Sequence, residues 1–336
     1  MKRLNGLFEE VCSLDNLYLA DAKARRNKLQ SYGVKIHDQN KDSNLLQLRE
    51  MLINQTFQTS EYDVFTLYEP KERLIFRLPY FPDRIVHHAI MNVLEPIWTS
   101  IFTTDTYSCI KDRGIHAAAK NVKYSLKTDP KGTQYCLKLD IRKFYPSVDH
   151  DILKSIIRRK IKDKKLLWLL DEIIDSADGV PIGNYLSQYF ANLYLAYFDH
   201  WLKEEKGVKH YFRYADDMVI LSDNKQGLHA LLREMRVCLR DNLKLKIKHN
   251  YQVFPVNRRG IDFVGYRFFH SHTLLRKSIK KNFCRRVTKL NKRKSIKYMD
   301  YKRAVCSWWG WSKHCDSKNL LKTILKNAPY EIKFKR

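Results

Sequence analysis

Three aspartates in two short segments have the chemistry of a site for divalent cations. Asp216 and Asp217 lie between the apolar runs 211–214 and 218–221, which predicts a tight hairpin with two carboxylates at its tip. Adjacent carboxylates repel each other, and a bound divalent cation offsets that repulsion. Hairpin tips are also rich in aspartate for conformational reasons, so this pair alone does not establish a site.

Asp140 is the third carboxylate, at the end of the strand predicted over residues 135–140. Phosphoryl transfer uses two metal ions about 3.5–4 Å apart, one at the attacking hydroxyl and one at the leaving oxygens. Magnesium prefers carboxylate oxygens, so we predict that Asp140 and Asp216 together bind the metal ions. Asp217 is predicted to be a third carboxylate that is turned partly away. The alternative for Asp140 alone is a strand-end cap or surface residue.

The elements around these aspartates follow the order strand, helix, hairpin, helix, strand, which is typical of a ferredoxin-like split βαβ sheet. Apolar periodicity predicts helices over 1–30, about 149–162, 185–202 and 226–241, and one from about Asp83 that Pro96 closes. A second hairpin is predicted around residues 257–260. The basic segment from Ser271 onward is predicted to be helical.

Length and composition indicate a globular protein of about two or three structural units, because 336 residues with 44% apolar content can bury a substantial core. No apolar run approaches the roughly 18 residues of a membrane span, and the N-terminal residues lack a signal-peptide stretch, so we expect a cytoplasmic protein with no membrane partner. The seven cysteines form no C-x-x-C pair and favour reduced thiols over disulfides or zinc ligands.

The net charge of +27 is concentrated near the C-terminus. Residues 271–336 contain 20 Lys and Arg against three acids, a net charge of +17. Such a skew predicts a polyanionic partner, bound through release of counterions. The alternative is a solvated basic surface. Most of the interleaved tryptophans are expected to pack in a core, although they could also stack on bases.

The segments that hold the aspartates resemble motifs of reverse transcriptases. Leu139–His150 is similar to motif A, Phe212–Asp217 to motif C, and Gly260–Tyr266 to the primer-grip hairpin. The stretch from Tyr68 to Pro96 resembles the fingers segment that precedes motif A, so the resemblance covers roughly residues 68–268. It implies an α+β right-hand polymerase with fingers, a ferredoxin-like palm and a helical thumb. The expected domains are 1–130 (N-terminal helix and fingers), 131–270 (palm, with a fingers insertion at about 150–178) and 271–336 (thumb).

The resemblance also implies roles for named residues. Two Mg²⁺ ions are expected on Asp140, Asp216, Asp217 and the backbone carbonyl of Ile141, and Lys71 and Arg73 are candidates for the triphosphate of the incoming dNTP. Arg77 and Arg84 compete for that role. The other predicted contacts are the dNTP-binding residues Phe144 and Tyr145 and the primer-grip residues Gly260, Phe263, Gly265 and Tyr266.

Tyr145 lies five residues after the motif A aspartate, where related RNA-synthesising enzymes commonly have a polar residue for the ribose 2′-OH. An aromatic ring there would collide with that hydroxyl, so Tyr145 is predicted to act as a sugar gate that selects a DNA product. The alternatives are that Tyr145 is a core aromatic residue and that its neighbour Phe144 has this role.

The segment Ile182–Gln188 reads I-G-N-x-x-S-Q, with Gly183, Asn184 and Ser187 between its ends. Most similar bacterial reverse transcriptases have glutamine and proline where this chain has Ile182 and Gln188. The pattern resembles reverse transcriptases of diversity-generating retroelements, which misincorporate opposite template adenines and so diversify a target gene by mutagenic retrohoming. Isoleucine in place of glutamine at position 182 removes a hydrogen-bond donor and acceptor near the templating pair, which would relax base selection. The alternative is that Ile182 reflects lineage drift at a packing residue.

The predicted function is therefore RNA-templated DNA synthesis from a retroelement RNA, error-prone at adenines. The alternatives are a retron-, defence- or group II intron-type reverse transcriptase of ordinary fidelity, or a non-catalytic RNA-binding protein. The predicted partners are a template RNA, its RNA–DNA hybrid, dNTPs and a small basic oligomeric accessory protein. A bacterial or phage-encoded protein is expected.

Overall fold

The computed structural model describes residues 3–68, 72–293 and 295–330. Its helices in chain order are α1 Leu7–Cys12, α2 Leu14–Ala24, α3 Tyr32–Gln39, α4 Lys41–Ile53, α5 Ile85–Thr99, α6 Ile115–Thr128, α7 His150–Arg158, α8 Lys164–Asp175, α9 Tyr185–His200, α10 Lys225–Leu243, α11 Val256–Arg259, α12 Lys277–Asn291, α13 Tyr298–Ser312 and α14 Lys318–Ile324. Its strands are β1 Asp63–Tyr68, β2 Glu72–Arg77, β3 Tyr135–Asp140, β4 His210–Tyr214, β5 Asp217–Ser222, β6 Gln252–Pro255, β7 Ile261–Phe263, β8 Tyr266–Phe268 and β9 Thr273–Leu275.

The chain divides into two compact units, each assembled from separate stretches of sequence. The first unit consists of Met1–Thr104, Ile141–Gly207 and Met235–Ile247, and the second of Asp105–Asp140, Val208–Glu234 and Lys248–Arg336. The division into consecutive fingers, palm and thumb domains stays a prediction. Across the described ranges, every helix is too short or too polar to cross a membrane.

Side-chain caps fix where helices of the first unit begin. Ser13 accepts a hydrogen bond from the backbone N–H of Asn16 at 3.3 Å and starts α2, while Asp163 starts α8 by accepting from Leu166. Asp163 also accepts from the N–H of Phe8 at 2.9 Å, which joins α1 to α8. The single helix predicted over residues 1–30 is therefore wrong, because the cap at Ser13 ends one helix and begins another.

Helix α5 continues through Pro96 to Thr99, so the prediction that Pro96 closes it is also wrong. Proline removes one backbone hydrogen bond from a helix, but Ser100 still donates to the Pro96 carbonyl at 3.3 Å. Trp98 is fully buried in this last turn and packs against Phe190 of α9, with ring centroids 5.7 Å apart. Burial of that ring offsets the lost bond.

The second unit contains a four-stranded antiparallel sheet in the order β4-β5-β3-β6. Helix α10 separates the β4–β5 hairpin from β6 along the chain, which gives the split βαβ connectivity that the sequence pattern predicts. Strand β3 occupies an inner position, with Cys136, Leu137 and Leu139 buried. This central strand ends at Asp140, so that carboxylate lies at the end of the sheet where β3 leaves it.

A separate three-stranded antiparallel sheet, β7-β8-β9, follows in the second unit. The hairpin turn lies at Val264-Gly265, where both residues have positive φ (40° and 88°), as a two-residue hairpin turn of this kind requires. Residues 256–259 form the short helix α11, so the hairpin predicted around 257–260 is wrong in position. Glycine at 260 signals the end of that helix, where its φ is 71°.

The basic C-terminal segment is helical, as predicted, over α12, α13 and α14. Phe283, Val287 and Leu290 of α12 pack with Tyr301 and Val305 of α13 in a core of their own. Trp308 stacks on Phe283 at 5.3 Å, and Trp311 packs against Tyr266 at 5.6 Å, which confirms core packing for these two tryptophans. The basic side chains are thereby left on the outer faces of the helices.

Candidate active site

The hairpin predicted at the Asp-Asp pair is present, and it brings two strands with their carboxylates together. Tyr214 pairs with Asp217 across the β4–β5 turn, so Ala215 and Asp216 form the two-residue loop, with Ala215 at φ 53°. Asp140 lies directly opposite Asp217 in the β3–β5 register. Opposite residues of an antiparallel pair project to the same face of the sheet, which places both carboxylates on one side.

Asp140 and Asp216 approach each other closely enough to share a hydrogen bond. Burial, the negative charge of Asp140 and that shared hydrogen bond raise the pKa of Asp216 to about 6. Burial also raises the pKa of Asp217 to about 6, against the lowering effect of Lys138. A pair of carboxylates with raised pKa values in one partly buried cluster is a common feature of functional sites.

Two lysines outside the motifs that resemble reverse transcriptases complete this cluster. Lys248 Nζ donates to Asp140 Oδ1 at 2.7 Å, and Lys138 Nζ lies 3.6 Å from Asp217 Oδ2. Lys138 also donates to the backbone carbonyl of Asp262 on β7. Side chains alternate between faces along a strand, so the sequence could have indicated that Lys138, two residues before Asp140, lies on the same face of the sheet. Lys248 has no such signal in the sequence, because only the fold brings it to Asp140.

The carboxylates fit a divalent cation. Asp217 Oδ1 is buried without a hydrogen-bond partner among the described residues, and the pair Asp140–Asp216 carries more negative charge than Lys248 alone can offset. No group of three or more His, Cys, Asp or Glu side chains in the described ranges converges on one point as a complete metal cage. Magnesium retains several waters and needs only one or two carboxylates, so the two-carboxylate arrangement suits it.

Ile141, the predicted carbonyl ligand, follows Asp140 and forms an isolated antiparallel bridge with Ile247. The hydrogen bonds that frame this bridge are Arg142 N–H to the Lys246 carbonyl at 2.8 Å and Lys248 N–H to the Asp140 carbonyl at 2.9 Å. Neither bond uses the Ile141 carbonyl. Its role as a metal ligand stays a prediction.

The first unit contains Phe144 and Tyr145, and their environments differ. Phe144 is buried, whereas Tyr145 is partly exposed at the start of a 3-10 turn over Tyr145–Ser147. The Tyr145 carbonyl accepts from Val180 N–H at 2.9 Å, and a Cβ on Gly179 would lie 2.6 Å from that carbonyl oxygen. The backbone at Tyr145 is thus held by the 179–180 loop, and its ring makes an edge contact with the Phe144 ring, with centroids 5.5 Å apart. The sugar-gate role stays a prediction.

The Ile182–Gln188 segment is anchored through its backbone. Phe76 of β2 donates its N–H to the Ile182 carbonyl at 2.8 Å, and a Cβ on Gly183 would lie 2.6 Å from the Phe76 carbonyl oxygen. Gly183 has φ 126°, a region that glycine adopts without strain. Ile182 is therefore held by main-chain contacts that do not depend on its side chain.

The remaining residues of this segment have different surroundings. Asn184 donates from Nδ2 to the Tyr62 hydroxyl at 3.0 Å and does not cap α9 with its side chain. Ser187 is buried and Gln188 is exposed on α9. Of the segment's polar side chains, Gln188 is the one most available to a ligand.

The candidate phosphate-binding residues are Lys71, Arg73, Arg77 and Arg84. Lys71 lies outside the described residues. Arg73 is exposed on β2 opposite Leu67, and Arg77 pairs with Asp63 across the same hairpin. Arg84 lies on the π-helical turn Tyr80–Arg84, where burial lowers its pKa. The roles of these four cations stay predictions.

The predicted primer-grip residues divide into two kinds. Phe263 and Tyr266 are buried in the core of the second unit, and the Tyr266 hydroxyl donates to the Trp311 carbonyl at 3.1 Å. Gly260 and Gly265 shape the chain, since a Cβ on Gly265 would lie 2.3 Å from the Trp311 ring. These four residues fix the position of the hairpin, and their role as a primer grip stays a prediction.

Comparisons with known proteins identify the family to which this chain is similar. Residues 69–268 match the family described as reverse transcriptase (RNA-dependent DNA polymerase). Protein YkfC of Escherichia coli (strain K12) is 28% identical over 241 residues, which cover 58% of this chain and 63% of YkfC. The group II intron-encoded protein LtrA of Lactococcus lactis subsp. cremoris is 26% identical over 140 residues, which cover 38% of this chain and 23% of LtrA.

Among solved structures, the apo telomerase from Candida tropicalis is similar, with a TM-score of 0.50 at 12% identity over 82% of this chain and 60% of that chain. At this identity the likeness shows the fold alone, and it confirms the predicted α+β right-hand polymerase class. The family match covers more than half of the 336 residues and contains all three aspartates. The chain therefore belongs to the reverse transcriptase family of RNA-dependent DNA polymerases.

Proposed function

We propose that this chain copies a retroelement template RNA into DNA by a two-metal mechanism and is error-prone at template adenines. The observation that carries the polymerase assignment is the convergence of Asp140 and Asp216 in a partly buried cluster at the edge of the sheet. Two like charges held together in this way favour a cation-binding role over a purely structural one. The chain spans 63% of YkfC and 23% of LtrA, so whole-protein activities of those relatives are not transferred to it.

In this mechanism Asp140 and Asp216 would hold the divalent ions, with Asp217 supporting the cluster from the opposite strand. When bound, such ions activate the attacking hydroxyl and stabilise the developing charge on the leaving oxygens. Lys248 offsets part of the charge on Asp140 at 2.7 Å and so stabilises the folded site before ions and nucleotide enter. Tyr145 would exclude the ribose 2′-OH by steric clash.

The proposed partners follow from charge and from the similarity. The +17 charge of residues 271–336 suits an A-form RNA–DNA hybrid, which proteins contact chiefly through phosphates and 2′-hydroxyls. The proposed substrates are dNTPs and a template RNA. A small basic accessory protein is proposed from the retroelement similarity alone, as is a cytoplasmic location in a bacterial or phage-infected cell.

The error-prone part of the proposal depends on the segment Ile182–Gln188. Its backbone is fixed by Phe76 and by the tight approach of Gly183, so the identity of the residue-182 side chain can change while the loop keeps its position. An isoleucine there offers no hydrogen bond, whereas a glutamine would offer a donor and an acceptor. Without such a hydrogen bond, base selection at the templating pair would be relaxed.

Primer extension on an RNA template with Mg²⁺, followed by sequencing of the products, tests the proposal. Errors concentrated at template adenines support it, and accurate products support the intron-type alternative that the similarity to LtrA favours. Absence of product from the wild-type chain, with RNA binding retained, would indicate a non-catalytic RNA-binding protein. Asp216→Asn serves as the inactive control.

Ile182→Gln is the matched test of the fidelity mechanism. Adenine errors should fall by roughly 10-fold, the value of about one hydrogen bond, while errors at other template bases change little. Ile182→Val, which keeps the residue branched and apolar, serves as control. Adenine errors that persist unchanged in Ile182→Gln would remove this residue from the mechanism without affecting the polymerase assignment.

A further inference from the structure

The hydroxyl group of Tyr62 connects three separate segments of the first unit. Tyr62 immediately precedes β1, and its ring packs edge-on against Phe76 of β2, with ring centroids 5.6 Å apart. The hydroxyl lies 2.7 Å from Ser176 Oγ, directly after α8, and accepts from Asn184 Nδ2 at 3.0 Å. The β1–β2 hairpin, α8 and the Ile182–Gln188 segment therefore meet at one side-chain oxygen.

The hydrogen bonds at this oxygen run in one direction. Ser176 Oγ donates its only proton to the carbonyl of Ile173 at 2.7 Å. The Tyr62 hydroxyl must then donate to Ser176 Oγ, which leaves it to accept from Asn184. Burial raises the pKa of Tyr62, so the phenol keeps the proton that this series of bonds requires. The amide of Asn184 is thus fixed with its nitrogen toward Tyr62.

The backbone before Tyr62 is held in place by two acidic side chains. Thr59 donates its N–H to Glu172 Oε1 of α8 at 3.1 Å, and Ser60 donates its N–H to Asp83 Oδ1 at 3.0 Å. The position of Tyr62 is therefore set by α8 and by the turn that precedes α5, and neither belongs to the 182–188 segment. A support that is itself rigid fixes the geometry of the residues it contacts.

Asn184 does not form the local hydrogen bond that is usual at its position. It immediately precedes α9 and is 6% exposed. Asparagine at such a position typically caps the helix by accepting a backbone N–H, but the Asn184 side chain makes no such bond. Its amide instead bonds to a residue 122 positions earlier in the sequence. A local preference that is overridden by a distant contact is expected at functional positions.

The bond from Asn184 adds to a main-chain attachment of the same segment. Phe76, the ring neighbour of Tyr62, donates its N–H to the Ile182 carbonyl at 2.8 Å. That bond joins backbone atoms and survives side-chain substitution. The bond from Asn184 to Tyr62 depends on two side chains, so a single substitution removes it.

We propose that Tyr62 is a positioning residue for base selection, which holds the Ile182–Gln188 segment against the β1–β2 hairpin through Asn184. In this role Tyr62 contacts neither the nucleotide nor a metal ion and acts only through Asn184. The inference deepens the proposed function and rests on it, because it requires this segment to lie near the templating pair. Loss of the Tyr62 hydroxyl would loosen the segment and weaken discrimination between matched and mismatched nucleotides.

The test measures nucleotide binding and does not require DNA synthesis. The full chain is bound to an RNA template whose DNA primer ends in a dideoxynucleotide, and the apparent Kd of a mismatched dNTP is divided by that of the matched dNTP. Tyr62→Phe removes the hydroxyl and keeps the ring that packs on Phe76. Asn184→Ala removes the other partner of the same hydrogen bond.

Two control variants separate this bond from its neighbours. Ser176→Ala removes the acceptor on the far side of the Tyr62 hydroxyl and leaves the bond from Asn184 in place. Tyr18→Phe removes an exposed hydroxyl of the same unit, which donates to Asp42 at 2.8 Å.

Tyr62→Phe should lower the discrimination ratio roughly 3- to 10-fold at each template base, the value of about one hydrogen bond. Asn184→Ala should lower it by the same factor, and the double variant should match the single variants because all three remove the same bond. Ser176→Ala and Tyr18→Phe should each change the ratio by less than about 2-fold.

Melting temperature separates a positioning role from a purely structural one. Tyr62→Phe and Ser176→Ala each remove one hydrogen bond of the same hydroxyl, so both should lower the melting temperature to a similar extent. A ratio that falls equally in these two variants, or that stays at the wild-type value in Tyr62→Phe, would overturn the inference. Effects of Tyr62→Phe and Asn184→Ala that add in the double variant would also overturn it.

The proposed function fails by a different observation. Accurate copying of template adenines by the wild-type chain from an unblocked primer would refute the error-prone proposal. It would leave the inference about Tyr62 standing, because the discrimination ratio is a binding measurement and compares variants at every template base.

Discussion

Replacing Asp216 with asparagine should stabilise the protein while abolishing DNA synthesis. The pKa of Asp216 is raised to about 6, first by burial and then by Asp140. A carboxyl group whose pKa is higher in the folded chain than in the unfolded chain contributes stability below about pH 4, and this contribution is lost as the pH rises through about 6. At neutral pH the ionised side chain therefore opposes folding, and the neutral amide removes that cost.

The magnitude follows from the shift in pKa. About two pKa units correspond to an upper limit of about 3 kcal/mol, since one unit is about 1.36 kcal/mol. Partial exposure to solvent and the coupling to Asp140 reduce this to about 1–2 kcal/mol. For a chain of this size that gain raises the melting temperature by roughly 1–3 °C.

The assay is thermal and urea unfolding of wild type and Asp216→Asn in EDTA from pH 4 to pH 8. The variant should be more stable at pH 7–8, and the difference should vanish near pH 4, where the wild-type carboxyl is also protonated. Added Mg²⁺ should then reverse the order by stabilising the wild type, by about 2.7 kcal/mol at 100 times the dissociation constant, and not the variant. Asp223→Asn, at an exposed position of the same unit, controls for the change in net charge.

Two results would refute this reasoning. A variant less stable than wild type in EDTA at pH 7 would mean that the Asp216 carboxylate stabilises the fold. Equal stabilisation of both proteins by Mg²⁺ would mean that the ion binds elsewhere. Either result would leave the Asp140–Asp216 pair as an internal hydrogen bond rather than a cation site.

Three further variants test the positions around this cluster. Tyr145→Ala should raise incorporation of ribonucleotides relative to deoxyribonucleotides by roughly 10- to 100-fold in single-nucleotide extension, and an unchanged ratio would exclude the sugar gate. Lys138→Met should lower the free energy of unfolding by about 1–2 kcal/mol at pH 8 and by less at pH 5, because Asp217, whose pKa is about 6, becomes protonated there. Lys138→Arg should restore most of the lost stability, and a loss that does not depend on pH would show that the Lys138–Asp217 charge pair is not the cause. Gly265→Ala should lower the free energy of unfolding in urea by about 2–4 kcal/mol, because φ is 88° and the new Cβ would meet the Trp311 ring. Gly310→Ala, where the space is open, should be neutral or stabilising, and equal effects of the two substitutions would contradict the close packing at Gly265.

Local pattern was sufficient for several elements. The short apolar runs on either side of Asp216 and Asp217 predicted the β4–β5 hairpin, and the strand ending at Asp140 lies where the sequence indicated. These predictions succeed because short apolar runs and turn chemistry are local properties of the chain. Helix boundaries were less predictable, since Ser13 divides the first helix and α5 continues through Pro96, where packing of Trp98 outweighs propensity.

The identities and order of the three aspartates, the aromatic residue at 145 and the Ile182–Gln188 segment are properties of the sequence by itself. The tertiary structure decided what surrounds them, since Lys248 reaches Asp140 across 108 positions of sequence. It also showed that Phe263 and Tyr266, in the hairpin predicted to be a primer grip, are buried in a core. The reason is physical, because spacing along the chain fixes local geometry, whereas charge compensation and burial depend on segments that only folding brings together.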